Sequence, residues 1–420
     1  MALLEVKLRP TGPWRIGHRS GDRERVGAIY HSDLVFSAVT QAMGTLGHLD
    51  EWLDATARAN GIPAVRFSSL FPFAGNTRLV TPPKTSWPPA AQSRLYLRGA
   101  KLVPLEVALG SASGLAFDEN RYAVDGESGC LIPGGASAPF TVSVRSSVAV
   151  DRVTGTASEA HKTACLEFHP KAGFWGLLDI QDAAWESRVK AAFRLLADSG
   201  FGGERSRGWG RAAEPEFSGA EKLFPEVEAA GAWWLLSMYS PAEGDAVDWS
   251  RGEYSMETRA GWTDSRAGQA KKKLVRMVEE GSVLAAGSLR GMAVDVAPNG
   301  FAHPVYRCGF ALAIPIALNG LQVVEPVVPE VVKAPIVMPV EEEEDPLMIA
   351  AEFSPVEPAG EPPIDVPDEQ EPPSEEPVPV RDPIVEDPEE EEPTVREPED
   401  PDVSVPEIKE PESAEAKVIA

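Results

Sequence analysis

The sequence predicts an α+β fold, and three observations predict it. Strand-like and helix-like segments mix without strict β–α alternation. A glycine-rich run follows a helix instead of leading into one. No internal repeat of short period is visible. Taken in order, Leu3–Arg9 alternates apolar and charged residues, which predicts a first strand and not a signal peptide. A charged loop, Gly17–Arg25, follows. His31–Ala38 then opens a helix, with Ser32 or Asp33 as its capping side chain and Leu34, Ala38, Ala42 and Leu46 as its buried stripe. A second, short helix is expected from Glu51 to about Ala59. From Ser68, prolines at 72, 82, 83, 88 and 89 predict irregular structure. Phe140–Arg145 and His161–His169 alternate as strands, the latter with Ala164, Leu166 and Phe168 on one face.

Trp185, Val189, Ala192, Phe193 and Leu196 recur at helical spacing, and Asp198-Ser-Gly200 ends that helix. The run to Arg211 then carries glycines at 200, 202, 203, 208 and 210, arginines at 205, 207 and 211, and Trp209. Glycine permits positive φ and close approach of another backbone. Arginine offers a permanent forked charge and tryptophan a stacking surface. The combination suits a backbone wrapped around a polyanion. Nucleotide-binding glycine loops run from a strand through glycines into a helix, and none of their fingerprints occurs here. Beyond the loop, Trp233–Tyr239 reads as a buried strand and Phe310–Ile316 as a single apolar strand.

Charge divides the chain. Residues 321–420 carry 31 acidic and 5 basic side chains against whole-chain totals of 65 and 39. The entire net charge of −26 therefore lies there, and 1–320 holds 34 of each sign. The same segment holds 21 of the 39 prolines, so 321–420 is expected to be a disordered acidic tail. Residues 1–225 and 226–320 are expected to be two domains. No run reaches transmembrane length. Cys130, Cys165 and Cys308 are sparse and odd in number, which fits a reducing cytoplasm.

Catalytic and metal chemistry finds little support. His161, Cys165 and His169 are spaced four apart, but eight residues of strand span roughly 26 Å, too far for the two histidines to share an ion. No C-x-x-C, H-E-x-x-H or G-x-S-x-G motif is present, and no cofactor is expected. His18, in a polar loop, suits either a base acting on a 2′-hydroxyl or a hydrogen-bond donor to RNA; the second reading is the simpler.

Five blocks, in this order, resemble the RAMP superfamily of CRISPR effector proteins, and within it the subunit that caps the crRNA 5′ end in type III-A complexes. They are His31-Ser-Asp-Leu-Val-Phe-Ser-Ala38, Leu70-Phe-Pro-Phe73, Val150-Asp-Arg-Val-Thr-Gly155, Ala197–Arg211 and Gly300-Phe-Ala-His-Pro-Val-Tyr-Arg-Cys-Gly309. The resemblance covers nearly all of 1–320 and none of the tail. It departs from the family pattern at Val35, Trp209 and Cys308. It implies two ferredoxin-like (RRM-like) units, the first with a thumb-like insertion near 140–160. It also implies a non-enzymatic subunit that holds the crRNA 5′ tag. That subunit joins the large polymerase/nuclease subunit to the backbone RAMP subunit. A crRNA-processing endoribonuclease and the equivalent type III-B subunit are the alternatives. The RNA contacts expected are His18, Arg19, Arg145, Arg152 and Thr154. The glycine-rich run is expected to add Gly202, Gly203, Arg205, Ser206, Arg207, Gly208, Trp209 and Arg211. Lys271 and Lys273 would serve from the second unit.

Overall fold

A computed structural model describes residues 2–17, 21–88, 99–115, 117–150, 152–153, 156–225, 227, 231–263, 270–316 and 337–338. His18, Arg19 and Thr154 lie outside the described residues, as does all of the tail except 337–338.

The first half contains β1 (Ala2–Leu8), α1 (Ser32–Thr45), α2 (Leu49–Ala55), β2 (Val65–Phe67), β3 (Phe71–Ala74), β4 (Thr77–Val80), β5 (Val103–Pro104) and α3 (Leu105–Ala112). There follow β6 (Tyr122–Val124), β7 (Leu131–Pro133), β8 (Phe140–Val150), β9 (Ala157–Phe168), β10 (Ala172–Ile180), α4 (Glu186–Ser199) and β11 (Glu216–Gly219). One antiparallel sheet orders these as β11-β1-β10-β3-β4-β5, with β2 also on β10. Strand β10 is buried along nearly its whole length and reads Ala-Gly-Phe-Trp-Gly-Leu-Leu-Asp-Ile. Such a run needs cover on both faces. Helix α1 packs on α4, and Phe36, Val39, Phe193 and Leu196 join Val6, Leu8 and Leu178 in one core.

The second half contains β12 (Ala232–Leu235), β13 (Val247–Glu253), β14 (Met256–Arg259), β15 (Leu274–Val278), β16 (Val283–Ala286), β17 (Gly291–Asp295), β18 (Tyr306–Phe310), β19 (Ala313–Ile316) and β20 (Val337–Met338). They form a sheet β13-β16-β12-β19, a sheet β14-β15-β20 and a pair β17-β18. The mixture of helices with several antiparallel sheets is the α+β class expected from the sequence. Strand β20 falls inside the segment assigned to the tail, where its backbone pairs with Leu274 and Val275.

Several local expectations are corrected. The buried face of α1 is Val35, Phe36, Val39, Ala42 and Met43, whereas Leu34 and Ala38 are half-buried and Leu46 is exposed. The helix touches α4, α2 and β18 at once, so its buried arc is set by three neighbours. Pro72 sits in β3, opposite Phe174, where irregular structure was expected. The single strand expected over Phe310–Ile316 is divided: Phe310 closes β18 and Ala313–Ile316 is β19, with the break where the Ala311 amide donates to the Arg290 carbonyl. Among the described residues no helix is long and apolar enough to cross a membrane.

Candidate nucleic-acid interface

The glycine loop is built as a closed eyelet on the segment that follows β1. Helix α4 ends at Gly200 with φ 98°, and the Phe201 amide donates to the Gly210 carbonyl at 2.9 Å. Gly203 donates to the Arg15 carbonyl and Gly210 to the Pro13 carbonyl, each at 2.9 Å. Phe201 anchors the loop from below, stacked on Trp14 at 5.2 Å and edge-on to Tyr30 at 5.9 Å. Burial pushes the Tyr30 phenol up to about 12. Between the loop's ends, Arg205–Arg207 form one turn of 3-10 helix, entered from Glu204 in the left-handed region at φ 59°.

The glycines divide by what they do. Gly202 and Gly210 have positive φ, and a Cβ on them would strike the backbone carbonyls of Arg15 and Phe201. Gly208 also has positive φ but faces open space. Gly203 has no such φ, and its nearest neighbours are aliphatic carbons of Arg15 at 3.4 Å. The close backbone approach expected of the glycine run is met at 200, 202 and 210 and not at 203.

Above the loop stands the β8–β9 hairpin, with Arg145, Ser147, His161, Thr163, Cys165 and Glu167 on one face by strand alternation. Arg207 Nη1 donates to Ser147 Oγ at 3.0 Å, and the Arg145 guanidinium lies 5.9 Å from the Trp209 ring centre. The structure thus brings Arg145, Arg207 and Trp209 together. Trp209 is only 8% exposed and Arg145 covers its ring, so the exposed stacking platform expected of it is corrected to a buried wedge between loop and hairpin.

Two carboxylates hold these cations. Glu167 pairs with Arg145 at 2.5 Å, and that hydrogen bond holds the carboxyl below its ordinary value and raises the guanidinium. Glu204 pairs with Arg207 at 3.3 Å and with Arg23 at 3.7 Å. Arg15 reaches across beneath, donating to the carbonyls of Arg23 at 2.8 Å and Ala164 at 3.0 Å. Sequence reasoning missed Arg15, Arg23, Ser147 and Glu204. Glu204, set between the glycines and Arg205, carried the one local signal. Ser206 and Arg211 are exposed, Arg205 is exposed beside them, and Arg152 is exposed near the hairpin tip. Lys271, exposed, and Lys273, half-buried, lie beside β15 in the second half. Among the described residues no group of His, Cys, Asp or Glu is arranged to hold a metal ion.

Ser32 and Asp33 do not cap α1, which has no side-chain cap. Ser32 Oγ accepts from the Met238 amide at 2.9 Å. Asp33 is fully buried and receives Arg259 through two hydrogen bonds, at 3.0 and 3.1 Å, and Arg307 through a third. Burial opposes the Asp33 charge, but the two guanidiniums outweigh it and hold the carboxyl far below the usual carboxylate range. Beside it His31 Nδ1 meets Glu280 at 2.9 Å, and Glu280 also accepts from Ser69. Residues around the start of α1 and at Ser69 in the first half meet Arg259 and Arg307 on strands and Glu280 in the turn after β15, so the cluster is a polar staple within the fold.

Residues 228–316 match the family of the CRISPR Csm4 C-terminal domain. No curated protein matches. Among solved structures, one of a Csm3–Csm4 subcomplex in the type III-A CRISPR–Cas interference complex is similar, with TM-score 0.52 and 15% identity, over 76% of this chain and 100% of that one. A Csm1–Csm4 cassette in complex with cA4 is also similar, with TM-score 0.48 and 19% identity, over 76% and 99%. Residues 228–316 thus carry the signature of the Csm4 C-terminal domain, and the described chain is similar in fold to a chain of that Csm3–Csm4 subcomplex.

Proposed function

We propose that this protein is the RNA-binding, Csm4-type subunit of a type III-A CRISPR interference complex. It holds the 5′ tag of the crRNA and joins the large polymerase/nuclease subunit to the backbone RAMP subunit, and it does not cut RNA itself. The observation that carries this is the meeting of the glycine loop with the β8–β9 hairpin. Arg145 lies over the Trp209 ring and Arg207 donates to Ser147 there, and exposed Arg205 and Arg211 border them. Arginines held by carboxylates of middling exposure can exchange those partners for phosphate without moving far.

The strand order β11-β1-β10-β3, with α1 after β1 and α4 after β10, supports reading the first half as a ferredoxin-like unit. The second half is read as a shorter unit of the same kind. The family match and the partners of the similar solved proteins support the choice of neighbours.

The test is purification from the native host under gentle conditions, with sequencing of the co-eluting RNA and identification of co-eluting proteins. Repeat-derived 5′ ends and two partners, the large subunit and the backbone RAMP subunit, are expected. RNA without a common 5′ sequence would overturn the reading. Metal-independent cleavage of repeat RNA that His18→Ala abolishes would replace it with the processing enzyme.

A further inference from the structure

Of the ten tryptophans in the chain, nine are buried or half-buried, and Trp262 alone is exposed, at 67%. It lies just past β14, where its backbone bridges that of Lys271 in antiparallel register and the Lys272 amide donates to the Gly261 carbonyl at 2.8 Å. Bridged residues project to the same side of a strand pair. Met256, Thr258, Ala260 and Trp262 alternate along that side and all are exposed, with Arg276 exposed opposite Thr258. The other side is spoken for: Arg259 reaches Asp33, and Glu257 is paired with Arg259 at 3.2 Å. One face of this hairpin end therefore offers a bare indole, a methionine and two cations, while the carboxylate of the same strand is turned away and engaged.

We propose that Trp262, with Lys271 and Arg276, is a second contact for single-stranded RNA, in which a base stacks on the indole and phosphates meet the two cations. This rests on the RNA-binding reading above and adds a site that the glycine loop does not supply. An aromatic face beside cations is the pairing that takes up unpaired nucleotides without regard to sequence. A protein partner would meet the same indole, but the flanking positive charge favours a polyanion.

The solvent exposure of Trp262 makes the test direct. With the full chain and a mixed-sequence single-stranded RNA oligonucleotide, Trp262→Ala should weaken binding roughly tenfold, about 1.4 kcal/mol, and Trp262→Phe should retain most of the affinity. Lys271→Ala should lower the slope of log affinity against log salt by about one. RNA should also protect the acrylamide-quenchable fraction of tryptophan emission, and Trp262→Phe should remove that fraction. If Arg207→Ala weakens RNA binding while Trp262→Ala leaves it unchanged, this site is overturned and the glycine-loop reading stands. If no RNA binds at all, both fall. If Trp262→Ala spares RNA affinity but abolishes retention of a partner subunit, the face is a protein contact and the proposal is wrong.

Discussion

Asp33 and Arg307 stand 274 residues apart in the chain and share a buried ion pair. Both belong to blocks that the sequence singled out, Asp33 at the opening of α1 and Arg307 in His-Pro-Val-Tyr-Arg. The blocks are therefore one structural device. Its role is measurable, because a helix cap and a buried hub differ in cost.

Asp33→Ala should destabilise the protein by about 3–5 kcal/mol, the range for stranding buried charges. Loss of a cap alone would cost about 1 kcal/mol. Urea unfolding of the two proteins distinguishes the cases, and a loss near the lower figure would return Asp33 to the capping role.

The His31–Glu280 contact makes stability depend on pH. Burial opposes charge on His31, but Glu280 outweighs it and raises the histidine above its ordinary 6.5. Burial likewise opposes charge on Glu280, and His31 holds that carboxyl below its ordinary 4.5. A raised base contributes stability that is complete below its unfolded value and is lost as pH rises through the folded one. A depressed acid contributes above its unfolded value and loses that as pH falls through the folded one. The shared contribution is complete between pH 4.5 and 6.5 and declines above and below. Melting temperature should fall from about pH 6.5 upward, and His31→Gln should flatten that decline.

Gly202→Ala and Gly210→Ala should each destabilise the fold, since each adds a Cβ against backbone at positive φ. The φ penalty alone is about 1–2 kcal/mol, and the collision adds to it. Gly203→Ala should be close to neutral, because only aliphatic carbons of Arg15 stand near. Thermal melts of the three variants check the order, and equal losses would show that the loop has another shape.

Arg207→Ala should weaken binding of tag-bearing RNA by about 1.5–3 kcal/mol, the range for a charged hydrogen bond. Trp209→Ala should lower stability as well as affinity, because a buried tryptophan is removed; such truncations cost about 3–5 kcal/mol. Filter binding and calorimetry on the same preparations separate the two effects. A Trp209→Ala protein that melts like the parent would restore the exposed-platform view.

Truncation after Val340 and truncation after Gly320 should differ. The shorter chain loses the Val337–Met338 strand that covers the edge of β15, whereas the longer one keeps it. A lower melting temperature is expected only for the shorter chain. Equal melting would mean that the pairing contributes nothing.

The parts legible in the sequence were those with local signals. Helix α4 announced itself by spacing, the β8–β9 strands by alternation, and the loop by its glycines and arginines. Asp33 was misread because a carboxylate at a helix start has an obvious local partner, while its real partners, Arg259 and Arg307, are distant in sequence. Pro72 hid β3 because proline weighs against a strand, although β10 pairs with the residues around it. Trp209 was expected outside because it stood among charges, yet the hairpin that covers it lies some sixty positions earlier, as the Arg207–Ser147 bond shows.

The eyelet between Phe201 and Gly210 is tied at its neck and to residues 13 and 15 at its rim before any ligand arrives. A loop already frozen loses little further freedom when it is occupied. On the proposed RNA-binding reading, most of the entropy of capture then falls on the flexible strand of nucleic acid and not on the protein. Affinity differences among RNAs should accordingly follow how long each stays, while the rates at which they arrive remain alike.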